Sequence, residues 1–340
     1  MHSFIVIGLG PIGLAVARHI AASPELNLVG LVDLDPAKVG RTLPEILGPG
    51  VDAPEDGPVV VDQVRKVEAA DFGEADAAVV CTTSYFDAIV PTLRDVMKGG
   101  LPVVTSCEEM TWPWYRHKVL ADQVNGECEQ EGVAMLATGV NPGWVMDLFP
   151  VQVSQMLNRV TRVRCTRVVD VLSRRRPLQV KVGSGMKPAA FEKLAAGGKI
   201  GHKGIAESVC VVAHGLGHNP LGNSVKVGLR PVLADAPTDW PGGRVEPGDV
   251  RGMHNTAHWT DGQITIDLDL TMALAEPNPR DEIELWSDEL PGGKLTLQIP
   301  GGTPGDTATA AALVNAARHV PALEPGLRTV LDLPGGRPRG

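Results

Sequence analysis

The chain has 340 residues, 43% of them hydrophobic and 21% charged. That length suits two domains, and that composition excludes disordered and collagen-like classes. The formal net charge is −9 and no basic stripe of the size nucleic-acid binders carry is present, so no nucleic-acid partner is expected. No apolar run reaches the roughly 18 residues of a membrane span. The apolar start at residues 4–9 lacks a basic flank and breaks at Gly8, unlike a secretory signal. Five scattered cysteines form no C-x-x-C pair, which argues against zinc or dithiol chemistry and for a reducing, cytoplasmic setting.

In chain order, residues 4–7 read as a short strand, 12–22 as a helix and 28–32 as a second strand. Strands follow at 77–81, 102–105 and 134–137, separated by helices at 87–98 and 114–131. Continuous apolar strands alternating with helices predict a parallel sheet covered on both faces. After about residue 147 the pattern changes. Residues 162–171, 178–182, 225–233, 263–275, 282–285 and 295–299 read as strands, with helical signal at 151–158, 187–196 and 204–214. This predicts an α+β domain on a largely antiparallel sheet. A turn cluster at 300–306 caps a helix at 308–319, expected to return and pack on the first domain. The tail from Pro334 is expected to fray. The expected division is a first domain of residues 1–147 completed by 304–340, and a substrate-binding and dimerisation domain of residues 148–303.

Gly8-Leu9-Gly10-Pro11-Ile12-Gly13 fits G-x-G-x-x-G. It follows one strand, opens a helix, and precedes a second strand that ends in Asp33, twenty residues past Gly13. This is a Rossmann dinucleotide fingerprint: Gly8 permits the tight turn, Gly10 lets a pyrophosphate approach the backbone, and Gly13 lets helix and strand pack closely. The helix N-terminus, at Pro11 and Ile12, offers N–H groups and a positive dipole end to the phosphates. Asp33 is placed for ribose hydroxyls, which favours NAD. Lys38 and Arg41 can neutralise a 2′-phosphate, so NADP also fits.

Ligands of such sheets lie over the carboxyl ends of the strands. The strand at 77–81 ends in Thr82-Thr83-Ser84, whose small side chains let a cofactor lie close. They could equally cap the next helix. The strand at 102–105 ends in Ser106-Cys107-Glu108-Glu109-Met110. Adjacent side chains of an extended segment face opposite ways, so one of Glu108 and Glu109 is expected to face the nicotinamide and move protons. In Ala137-Thr-Gly-Val-Asn141-Pro-Gly-Trp144, Asn141 can hold the nicotinamide amide or a substrate heteroatom, and Trp144 can wall a pocket. The segment could also be a hinge. Arg174, in a run of three arginines, and His258 are further pocket candidates, although such residues more often serve structure. No metal-ligand spacing is seen.

Taken together, Gly8–Gly13, the Glu-Glu segment, Ala137–Trp144, residues 174–185, Gly305-Asp306-Thr307-Ala308-Thr309 and Pro325-Gly326-Leu327 resemble the 2,4-diaminopentanoate dehydrogenase family. Its close relatives are native NAD(P)-dependent amine dehydrogenases with the fold of dihydrodipicolinate reductase. The resemblance covers nearly the whole chain. It implies reductive amination of a small aldehyde or ketone with ammonia, and the reverse oxidative deamination. It places the carboxylate that handles the amine nitrogen at Glu108, with Glu109 as second choice, and adds a homodimer to the assembly; Thr303 is a further pocket candidate. Other readings are a diamino acid dehydrogenase, a carbonyl or dihydrodipicolinate reductase, and a non-catalytic NAD(P)-binding sensor. The His-His…Lys signature of true dihydrodipicolinate reductases is absent. The substrate is expected to enter between the two domains.

Overall fold

The computed structural model describes residues 1–48, 57–67 and 74–335, and the frayed end expected beyond Pro334 lies, from residue 336 on, outside the described residues. The chain divides into two compact units, Met1–Trp144 with Pro304–Gly340, and Val145–Thr303.

The first unit is built on strands β1 (His2–Ile7), β2 (Leu26–Val32), β3 (Val60–Val61), β4 (Ala77–Val80), β5 (Val103–Thr105), β6 (Ala134–Ala137) and β15 (Gly326–Arg328). Among the described residues they form one sheet in the order β15-β6-β5-β4-β1-β2-β3, every pair parallel. Alternation along each strand divides its side chains between two cores. Phe4 and Val6 of β1, Ala77 and Val79 of β4, and Val104 of β5 pack with Val16, Ala17 and Ile20 of helix α1 (Pro11–Ala21) and with Leu313, Val314 and Ala317 of helix α9 (Gly305–Ala317). On the opposite face Ile5, Ile7, Ala78, Val80 and Val103 pack with Ile89 and Leu93 of helix α3 (Phe86–Met97), and with Ala121 and Val124 of helix α4 (Trp114–Glu131). Burying each such aliphatic side chain contributes about 1.5–3 kcal/mol, which is why continuous apolar runs form interior strands here. Helix α4 stops where Gly132 takes a left-handed φ of 71°, a conformation glycine adopts without a Cβ penalty.

The order of connections reverses at β1, with β2 on one side and β4 on the other. That reversal opens a crevice at the carboxyl ends of these strands.

The second unit holds a six-stranded mixed sheet. Strands β7 (Arg162–Asp170), β8 (Lys226–Leu233), β11 (Val250–Thr260), β12 (Thr265–Ala273), β13 (Arg280–Trp286) and β14 (Lys294–Pro300) run in the order β14-β13-β7-β12-β11-β8. Only β7 and β12 pair in parallel; the remaining pairs are antiparallel. Two expectations are corrected. Residues 178–182 are not a strand: Arg176–Lys181 form a helix, α6, with a proline in its first turn. The buried Gln179 amide donates to the carbonyls of Val171 and Leu172, and those bonds hold the helical turn against its neighbour. The helix at 151–158 is shorter, Phe149–Ser154, and follows a π-helical turn at Trp144–Leu148.

Candidate active site

β1 runs directly into the glycine turn. Gly8 has φ 86°, and a Cβ there would stand 2.8 Å from both the Cys81 carbonyl oxygen and Thr82 Cγ2. A Cβ on Gly13 would meet the Gly8 carbonyl oxygen at 1.8 Å, so the close approach of helix to strand requires glycine. Gly10 is different. It caps α1, followed by Pro11 in the first turn, and a Cβ there would meet nothing within 4 Å. The space in front of Gly10 opens beside the first-turn N–H groups of α1, where phosphate oxygens are stabilised by hydrogen bonding and by the helix dipole.

A cavity of about 620 Å³ lies alongside, lined among others by Gly8, Gly10, Asp33, Lys38 and Thr82. The Asp33 carboxylate accepts hydrogen bonds from the N–H of Leu9 (2.6 Å) and of Asp35 (2.8 Å). Lys38 Nζ stands 3.2 Å from Asp33 and 3.5 Å from Asp35. Burial acts to raise the Asp33 pKa, but the amides of Asp35 and Leu9 and the Lys38 ammonium outweigh it and hold the carboxyl below its ordinary value of 3.8. Arg41 is not part of this wall; its guanidinium donates to the carbonyls of Ala37 and Glu45. A glycine turn with open space at Gly10, a helix N-terminus and an ionised carboxylate one strand away fit a dinucleotide.

The sequence reading missed part of the wall of this cavity. Asp62, Gln63, Val64 and Arg65, just past β3, also line it. The signal was present: three valines ending in Asp62 repeat on a small scale the pattern that ends in Asp33.

The next strand ends carry the other predicted residues. Beyond β4, Thr83 Oγ1 accepts from the Tyr85 N–H at 3.3 Å, and the Ser84 carbonyl accepts from the Glu109 N–H at 3.1 Å. Glu108 and Glu109 open a 3-10 turn, Glu108–Thr111, beyond β5. Glu109 is buried, its carboxylate accepting from the Phe86 N–H at 3.0 Å and lying 3.3 Å from His117 Nε2. Glu109 therefore caps α3 from a distance, a task for which Tyr85, at the N-cap, has no side-chain hydrogen bond. Glu108 is half-buried beside Cys107, whose thiol burial pushes up to about 12, with both glutamates adding to the effect. Beyond β6, Thr138 N–H donates to Thr105 O at 2.9 Å and Val140 N–H to Thr309 Oγ1 at 3.2 Å. These bonds fix the segment that carries half-buried Asn141 and the exposed Trp144.

In the second unit, Arg167 and Asp281 form a buried ion pair, Arg167 Nη1 standing 3.0 and 2.9 Å from the two carboxylate oxygens. Thr303 is bound into it at both main-chain groups, its N–H donating to Asp281 (2.7 Å) and its carbonyl accepting from Arg167 (2.9 Å). Burial, with the charge of Arg174 nearby, pulls the Arg167 pKa down against the pull of Asp281. Thr303 is thus bound to Arg167, which the sequence reading did not single out, and the charge of Arg174 is felt there. His258 lies on β11, its Nδ1 2.8 Å from Asp267 on β12.

Comparisons with known proteins agree with this fold. The chain is 25% identical to 2,4-diaminopentanoate dehydrogenase of Acetoanaerobium sticklandii over 97% of its own length and 92% of the relative's. It is 29% identical to an amine dehydrogenase of Streptomyces virginiae over 57% of this chain and 53% of that one. Its fold matches the structure of an amine dehydrogenase from Mycobacterium smegmatis with a TM-score of 0.82 at 23% identity, covering 99% and 97% of the two chains. Residues 144–338 match the model of the 2,4-diaminopentanoate dehydrogenase C-terminal domain. With more than half of its length in that match, the chain belongs to the 2,4-diaminopentanoate dehydrogenase family.

Proposed function

We propose that the protein is an NAD(P)-dependent amine dehydrogenase, joining ammonia to a small aldehyde or ketone and running the reverse deamination. The observation that carries this reading is the placement of Glu108: a half-buried carboxylate at the carboxyl end of β5, with β4 alone between that strand and the glycine turn after β1. Its neighbour Glu109 is engaged by Phe86 and His117.

The bound cofactor, NAD(H) or NADP(H), supplies or takes the hydride. Gly8, Gly10 and Gly13 with the first turn of α1 hold its phosphates, and Asp33 receives ribose hydroxyls. Thr82, Thr83 and Ser84 let it lie against the backbone, and Asn141 holds an amide or a substrate heteroatom. Glu108 accepts a proton from ammonium, which frees the nitrogen lone pair for the carbonyl carbon. After addition it returns that proton to the oxygen, which takes a second proton from the added nitrogen, departs as water and leaves an iminium ready for reduction. Holding nitrogen, carbon and hydride donor in line supplies much of the rate. Trp144 walls the substrate. A second reading takes a diamino acid as the substrate, in keeping with the relative that matches 97% of this chain.

Five free cysteines support a reducing, cytoplasmic setting, and among the described residues no helix is long and apolar enough to cross a membrane. A homodimer is part of the same reading and rests on the family resemblance. The test is spectrophotometric: NAD(P)H consumption with a panel of small aldehydes, ketones and keto derivatives of diamino acids, with and without ammonium. Ammonium-dependent consumption supports the proposal. Equal consumption without ammonium identifies a carbonyl reductase, and none with any substrate identifies a binding protein.

A further inference from the structure

The cavity beside Asp33 has an electrostatic imbalance that bears on which cofactor it takes. Lys38 is shared between Asp33 and Asp35, so at the cavity wall one cation serves two carboxylates, while Arg41, the other cation of this segment, turns to the carbonyls of Ala37 and Glu45 and does not line the cavity. A 2′-phosphate placed there meets repulsion unless a further cation faces it. Two other acids line the cavity, Asp62 and Asp95. Asp62 is paired with Lys66 at 2.6 Å, and Asp95 lies 3.9 Å from Lys98. Arg65 is the remaining cation of the described wall. Its Nε donates to Gln63 Oε1 at 2.5 Å, which orients the guanidinium, and among the described residues its two terminal nitrogens bond to no acceptor. Among the described residues no carboxylate lies within ion-pairing distance of Arg65, although its charge is felt at Asp62. It is exposed and sits on a short 3-10 turn, Val64–Lys66, anchored by the buried Val64.

We infer that Arg65 is the residue that admits the 2′-phosphate of NADP(H), acting from the same cavity that the Asp33–Lys38 pair lines. A planar guanidinium with two parallel N–H donors matches a phosphate in a way that the shared Lys38 ammonium does not. The division of labour is then specific. Asp33 serves the ribose hydroxyls of NAD(H), and Arg65 offsets the charge of that same carboxylate when the 2′-hydroxyl is esterified by phosphate. The inference rests on the dinucleotide reading of the site and not on the identity of the amine.

The test is binding, free of turnover. Kd values for NADPH and NADH are measured by cofactor fluorescence on the intact protein and on Arg65→Gln and Arg65→Lys, with displacement by 2′,5′-ADP and by 5′-AMP as phosphate-specific probes. The expected result is that Arg65→Gln lowers the preference for NADPH over NADH, and for 2′,5′-ADP over 5′-AMP, at least tenfold, while Arg65→Lys recovers part of it. An equal loss for both members of each pair means that Arg65 only stacks on the adenine, and overturns the inference. An unchanged preference overturns it as well. If the unmodified protein binds neither dinucleotide, the reading of the site itself fails, and that outcome is distinct from the other two.

Discussion

The Glu109 carboxylate accepts the Phe86 N–H at 3.0 Å, across 23 positions of sequence. Two adjacent acids are thereby given different surroundings: one is engaged at the N-terminus of α3, and the other stands half-buried at the carboxyl end of β5. Removing the capping acid strands a buried donor, which costs about 1–3 kcal/mol. Glu109→Ala is expected to lower the thermal midpoint by several degrees and to change turnover far less than the same substitution at Glu108. Calorimetry paired with initial rates checks this.

The three motif glycines do different work, and their alanine variants separate it. At Gly13 the new methyl meets the Gly8 carbonyl at 1.8 Å, so helix and strand must move apart at a cost of about 1–3 kcal/mol or more. Both stability and cofactor binding are expected to fall. At Gly10 the methyl meets no protein atom within 4 Å. The thermal midpoint of Gly10→Ala should stay where it was while the cofactor Kd rises at least tenfold, because the methyl occupies the phosphate approach. A Gly10→Ala protein with unaltered Kd places the phosphates elsewhere.

The lowered pKa of Asp33 sets a pH signature. Because its folded value lies below its unfolded one, the stability it contributes is fully present above the unfolded value near 3.8 and is lost as pH falls through the folded value. Cofactor binding that uses the ionised carboxylate is therefore expected to be insensitive to Asp33 from pH 8 down to about 5, and to weaken on its account only below the ordinary carboxylate range. Titrating NADH against the protein and Asp33→Asn at pH 5 and 7 should show the same ratio of Kd values at both. A ratio that changes between them would mean that the carboxylate titrates higher.

In the second unit, Asp281→Asn leaves the Arg167 guanidinium buried with its charge uncompensated. Breaking a buried pair in this way costs about 3–5 kcal/mol, and it also disturbs the main chain of Thr303. A large drop in denaturation midpoint is expected, with partial recovery when Arg167 is also replaced by Met.

How much of this was legible in the chain follows from what each residue faces. The first unit could be read because its strands are buried on both faces, so β4, β5 and β6 appear as short unbroken apolar runs, and Gly132 marks the end of α4 by composition alone. In β11 the buried positions include Gly252 and Asn255. Gly252 is where a Cβ would stand 2.2 Å from the Met272 carbonyl oxygen, and Asn255 bonds to His202 N–H and the Gly228 carbonyl. With those residues inward, the alternation that announces a strand is hidden. At Leu178-Gln-Val-Lys181 the error ran the other way: local alternation imitated a strand, and the tertiary bonds of Gln179 decided for a helix. The glycine turn and Asp33 were visible because their spacing is local. The capping role of Glu109 and the place of Arg65 were not, since each depends on a partner or wall brought in by the sheet.

The central claim is that Glu108 handles the amine nitrogen, and the most direct measurement compares cofactor binding with turnover in purified Glu108→Gln. The account predicts a cofactor Kd within about twofold of the unmodified protein and a kcat reduced at least a hundredfold, in the range that positioned acid–base groups supply. Ammonium-dependent turnover retained at the unmodified rate would contradict it.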